Sequence, residues 1–157
     1  MLSIKFKPKT KDLLLVKATE EYQYFWDKEG DIIVDAIEEI SLLKFKIEKL
    51  EAVVYEGISK SNPLFLRASY SSEVKKATLI HELCHILLVD NNIKIKDVHK
   101  GLYLILYDIW IKLYGNSFAG RMIEIESKRN IRYKDAWDYV LQFNKNKRSK
   151  KFLELYK

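Results

Sequence analysis

The segment VHKGLYLILYDIWIKLY, residues 98 to 114, is apolar on nearly every side of a helical wheel, and Asp97 before it and Gly115 after it suit the two ends of a helix. A helix without a polar face belongs in the interior. The rest of the chain must therefore supply the core in which it lies. A chain of 157 residues, 48% hydrophobic and 13% aromatic, is long and apolar enough to build such a core. No Pro-, Gly- or Ser-rich linker and no internal repeat divides it, so residues 1 to 157 read as a single domain.

Around that helix the periodicity is mixed. Ile4 and Phe6 alternate with Lys5 and Lys7, and DLLLV follows at 12 to 16, so the first segment is expected to be extended. A polar and aromatic helical stretch opens at Thr19, with Gly30 as a point of interruption, and a clearer helix is expected from Asp31 to about Lys44. Residues 45 to 55 change to a period of two, as a bent strand or hairpin, and a turn at 57 to 63 leads to a strand at 64 to 70. Pro63 at the start of that strand marks it as a sheet edge. Helices are then expected at 73 to 89, capped by Ser72, at 98 to 114, at 117 to 129 and at 134 to 157. Strands early and helices late make this an α+β chain.

Cys84 is the only cysteine, which excludes an internal disulfide framework and a cysteine-rich zinc cluster. The amino terminus lacks the continuous apolar core of a signal peptide, and no uncharged run approaches the roughly 18 residues needed to span a bilayer. A cytoplasmic protein without a membrane partner is the expectation. The formal net charge of +6 favours polyanionic partners only weakly.

Chemistry enters with LIHELCHILL, residues 79 to 88. His81 and His85 stand one helical turn apart on one face, so both imidazoles can aim at one point. Glu82 lies about 100° around the helix, where its carboxylate can reach a water beside a metal instead of the metal itself. Such a pattern points to hydrolysis with a zinc ion, Zn2+, that activates water and polarises a carbonyl, with Glu82 as general base. Cys84 points away from the histidines and reads as a small core residue. A catalytic zinc takes three protein ligands, and two candidates follow the motif: His99, at the start of the apolar helix, and Glu124, with Glu126 as its neighbour.

Residues 81 to 118, HELCHILLVDNNIKIKDVHKGLYLILYDIWIKLYGNSF, resemble the core of the SprT-like (Spartan) metalloproteases: HExxH, a polar loop with Asn, a third histidine opening a new helix, and a glycine after it. The resemblance implies a zincin-like α+β domain, with a small mixed sheet whose edge strand packs on the active-site helix and a mostly helical second half. It also implies His81, His85 and His99 as zinc ligands and Glu82 as the catalytic base. Where that family has glycine directly after the third histidine, this chain has Lys100, with Gly101 one place later. A rival resemblance is to the minigluzincins and ImmA-like peptidases, whose downstream E-x-E-A-(D/N) pattern is similar to Glu124-Ile125-Glu126-Ser127-Lys128 and implies Glu124 as third ligand.

Either resemblance implies a protein or peptide substrate, held in zincins by an edge strand; here PLFLRASY, 63 to 70, is the candidate. NKNKRSKK, 144 to 151, begins a basic carboxy-terminal stretch, 144 to 157, that could act as a tail, follow DNA or another nucleic acid, or cover the cleft. Tyr103 and Tyr107 are among several tyrosines that could steady an oxyanion. The alternative to an enzyme is a non-catalytic metal- or nucleic-acid-binding protein.

Overall fold

A computed structural model describes residues 1 to 156. Its elements, in order, are β1 (Ser3–Pro8), α1 (Leu13–Ser41), β2 (Lys49–Tyr55), β3 (Lys60–Ser61), β4 (Leu64–Arg67), α2 (Ser72–Asp90), α3 (Val98–Tyr114), α4 (Asn116–Arg129), α5 (Ile131–Val140) and α6 (Lys145–Glu154). The fold is α+β: a four-stranded mixed sheet and six helices among the described residues. None of these helices is long and apolar enough to cross a membrane.

The sheet order is β1-β2-β4-β3, with β1, β2 and β4 parallel and β3 antiparallel to β4. Leu2, Ile4, Phe6, Ala52, Val54, Leu64 and Leu66 all fall on the buried face, against α1 and α2. The strand β4 is therefore an interior strand, not the expected edge. The chain folds back through 60 to 63, and Lys60 and Ser61 pair with Phe65 and Leu64. Beyond that pairing, Ser59 Oγ accepts the Arg67 N–H at 3.0 Å. At the opposite edge, the Phe6 N–H donates to Gln23 Oε1 at 3.1 Å, while Gln23 Nε2 donates to the Ile4 carbonyl at 3.4 Å.

DLLLV is the first turn of a helix rather than a strand, because Asp12 accepts the Leu14 N–H and caps α1 there. A short apolar run is compatible with either state until such a cap is counted. Nor does Gly30 interrupt α1. A Cβ at that position would lie 2.9 Å from the Trp26 ring, so glycine admits the buried indole, and this packing offsets the roughly 1 kcal/mol that glycine costs inside a helix. The helix stops at Leu42, which takes a left-handed φ of 59° and leaves the carboxylate of Glu38 to accept the Phe45 N–H and the Lys44 ammonium. Residues 42 to 48 are irregular despite their alternating pattern, since Asp90 at the end of α2 accepts the N–H groups of Lys46 and Ile47. The α2 cap is Ser71, one residue before the expected Ser72.

At the centre lies α3, with Leu102 to Leu106, Ile109 and Trp110 at most 2% exposed. The other helices pack around it: α1, α2, α4, α5 and α6 all touch it. The single carboxy-terminal helix expected from 134 is two helices, α5 and α6, broken at 141 to 144, where Asn144 caps the second. The basic stretch is not a free tail through residue 156. Arg148 is buried and reaches Asp108 of α3 through two bonds of 2.9 and 2.8 Å, with Phe152 buried beside it.

Arg148→Ala is expected to lower stability by about 3–5 kcal/mol, because it strands the Asp108 charge inside the protein. Urea unfolding monitored by tryptophan fluorescence measures that loss, and a double change of Arg148 and Asp108 to Met and Leu should cost less than the single one.

Candidate metal centre

His81 and His85 project from α2, and His99 from the first turn of α3. The segment 91 to 97 turns the chain back so that the two helices face each other at this level. Asp97 caps α3 by accepting the Lys100 N–H, and Gly101 lets the turn close: a Cβ there would lie 2.8 Å from Ile95. The glycine that follows His99 one place late thus sets how tightly the loop packs on α3.

One ligand atom from each of the three histidines lies within 4.8 Å of the other two. His81 Nε2 and His85 Nε2 are 3.1 Å apart. Two nitrogens on a tetrahedral zinc would stand about 3.3 Å apart, given Zn–N distances near 2.0–2.1 Å. The pair is thus near the required spacing, and the soft ring torsion of His99 governs the third. Cys84 is fully buried on the far side of α2.

His81 is oriented from behind. Its Nδ1 lies 2.8 Å from Glu126 Oε1, a contact that favours the proton on Nδ1 and, in the neutral ring, leaves Nε2 as the nitrogen for a metal. The other oxygen of Glu126 accepts Trp137 Nε1–H at 3.1 Å. Trp137 stacks on Tyr103 at 4.0 Å and on Trp110 at 5.4 Å, and the edge of this aromatic column meets the His81 ring. Glu126 belongs to α4 and Trp137 to α5, so three helices meet at this carboxylate.

Burial dominates the electrostatics. It pushes the Glu82 carboxyl above its ordinary range, although the neighbouring His81 pulls the other way. It lowers His85 to about 3 and His99 to about 4, with the charge of His81 adding to both, so that both rings are neutral near pH 7. Burial acts downward on His81 too, but Glu126 outweighs it and raises the value. Glu126 itself is held low: burial alone would raise it, and His81 and the surrounding donors reverse that.

Other candidates lie elsewhere. Glu124 is exposed on α4, bonded to Lys128 at 3.0 Å, and the structure does not bring it to the histidines. Its neighbour Glu126 takes the inward position. The Tyr103 hydroxyl is buried without a hydrogen bond of good geometry, and Tyr107 sits under the Arg148 guanidinium; neither lines the cleft. The cleft beside His81 and Glu82 has a volume of about 320 Å³ and is lined also by Arg67, Tyr70, Arg129 and Tyr133. The ring of Tyr133 lies 4.7 Å from that of His99, so this tyrosine both lines the cleft and faces the histidines.

The sequence reading did not single out Tyr133, Trp137 or Arg129. A signal for Glu126 was present, since Phe118, Ala119, Met122 and Glu126 share the buried face of α4, and a carboxylate among apolar residues calls for a partner. Comparison with protein-family models, curated proteins and solved structures returned no match.

Glu126→Gln is expected to weaken metal binding about 10–100-fold while leaving the helical content unchanged, as competition with a chromophoric chelator would measure. The pH dependence of the metal-free protein follows from the two depressed histidines. Each binds a proton in the unfolded chain near pH 6.5 but in the folded one only at about 3 and about 4, so stability falls as pH drops below 6.5. His81 opposes this, because its raised value contributes stability present below 6.5 and lost as pH rises through it. The raised Glu82 acts with His81 and the lowered Glu126 with the other two histidines, and the large depressions of His85 and His99 leave a net loss on acidification. Thermal midpoints in chelator should decline from pH 7 to pH 4, and less steeply after His85→Gln.

Proposed function

We propose that this protein is a zinc-dependent metallopeptidase of SprT-like, zincin type, with His81, His85 and His99 as metal ligands and Glu82 as general base. The observation that carries the reading is the convergence of three histidine nitrogens within 4.8 Å beside a buried carboxylate on a cleft. The donor set fits zinc: three imidazoles, one of them oriented by a buried carboxylate, with no fourth protein donor in the group among the described residues. A bound zinc would supply Lewis-acid activation of water and of the scissile carbonyl.

The residues of the chain do the rest. Glu82 lines the cleft one position after His81, and burial raises its proton affinity toward the range a general base needs. It takes a proton from the attacking water and passes it to the leaving amine. Glu126 fixes the His81 ring and keeps the Nε2 lone pair available. The phenol of Tyr133, kept protonated by burial and by the charges of Glu126 and Glu82, is a donor at the cleft wall for the developing oxyanion. The short antiparallel β3, at the sheet edge and packed on α2, is the element that a substrate main chain could pair with.

Glu82→Gln should retain zinc and lose at least about 100-fold in peptide cleavage, the scale of lost general-base catalysis. His99→Ala should lose zinc, and Glu124→Ala should keep both zinc and activity. Metal analysis and cleavage of a fluorogenic peptide library check all three. Undiminished cleavage by Glu82→Gln sinks the catalytic reading, and zinc loss in Glu124→Ala would transfer the ligand role to that residue.

A further inference from the structure

The cleft beside Glu82 is lined by two arginines, only one of which the chain itself pairs. Glu82 is the one carboxylate among its described lining residues, against the guanidinium groups of Arg67 and Arg129. Both guanidinium groups lie over the ring of Tyr70, at 5.6 Å for Arg67 and 4.9 Å for Arg129. Arg67 is satisfied: its Nε donates to Glu56 at 2.7 Å and to Ser69 at 3.1 Å. Arg129, the last residue of α4, makes no ion pair and no side-chain hydrogen bond among the described residues. Without a partner, its N–H groups form a fork suited to a carboxylate.

The cleft on the far side of His99 is different. It is lined by Lys96, Lys100 and Arg132 together with Asp97 and Asp135, three cations against two carboxylates, and it holds neither His81 nor Glu82. On the side where Glu82 opens, the unpaired cation is Arg129. We propose that Arg129 binds a carboxylate of the substrate, an acidic side chain or a free carboxy terminus, and so directs cleavage to peptides that carry a negative charge near the scissile bond. This rests on the peptidase reading above. Glu82 is committed to proton transfer, so the negative partner that completes the cleft comes from the ligand.

The test is calorimetric binding to zinc-loaded Glu82→Gln protein, which reports affinity whether or not the wild type cleaves. Three peptides of one neutral sequence are compared: one with an internal Glu and an amidated end, one with Gln in its place and a free carboxylate, and one with Gln and an amidated end. The expected result is about tenfold tighter binding of at least one charged peptide than of the neutral one, as for a charge-assisted bidentate pair. The peptide that gains identifies the source of the carboxylate. Adding Arg129→Gln should remove the excess without lowering zinc content. Equal binding of all three peptides, or an excess that survives Arg129→Gln, overturns the proposal. So does a single-stranded oligonucleotide that outcompetes every peptide and loses affinity in Arg129→Gln, since the ligand would then be a phosphate. Cleavage by wild-type protein is scored separately: its absence, with the carboxylate preference intact, would remove the peptidase reading and leave the binding site standing.

Discussion

The buried carboxylate of Glu126 is the interaction on which the arrangement around the histidines depends. It accepts from His81 of α2 and from Trp137 of α5 while belonging to α4, so one side chain fixes the mutual position of three helices and the tautomer of a candidate ligand. A buried charge with both oxygens satisfied is tolerable; the same charge with one donor removed is not. The helical packing and the imidazole geometry are therefore one problem with one solution. Trp137 links that carboxylate to the aromatic column of Tyr103 and Trp110, and α3, which carries two of those rings, also carries His99.

Much of this was legible because its signals are local. HExxH on a capped helix was readable from spacing, His99 after its Asp cap stood beside Glu124 as one of two candidates, and the all-round apolar α3 announced its own burial. What escaped depends on contacts distant in the chain. Nothing near Lys60 and Ser61 says that they pair with β4 and displace it from the edge. The alternation at 45 to 48 resembles a strand until Glu38 and Asp90 take its backbone donors. Lysines at 145 to 151 look like a solvated run until Arg148 finds Asp108, forty residues away.

The same distinction applies to the site. Glu124 and Glu126 are two positions apart and chemically identical, and the rival family resemblance singled out Glu124 as the alternative to His99. Burial separates them: Glu124 holds a lysine in solvent, whereas Glu126 is 4% exposed and faces His81. Tyr133 and Arg129 flank Asn130, the cap of α5, so the join between two helices lies across the mouth of the cleft. A join of that kind has no sequence signature beyond a capping residue.

Gln23 has a consequence for behaviour at high concentration. Its side-chain amide offers one acceptor and one donor to the outer rim of β1, in the places where the peptide group of another strand would bond. A primary amide occupies those places without being able to extend them, so β1 is closed to a second strand at its centre, and Lys5 beside it adds a charge that repels a copy of the same rim. The protein thus carries, on a helix rather than on the sheet, a guard against edge-to-edge polymerisation.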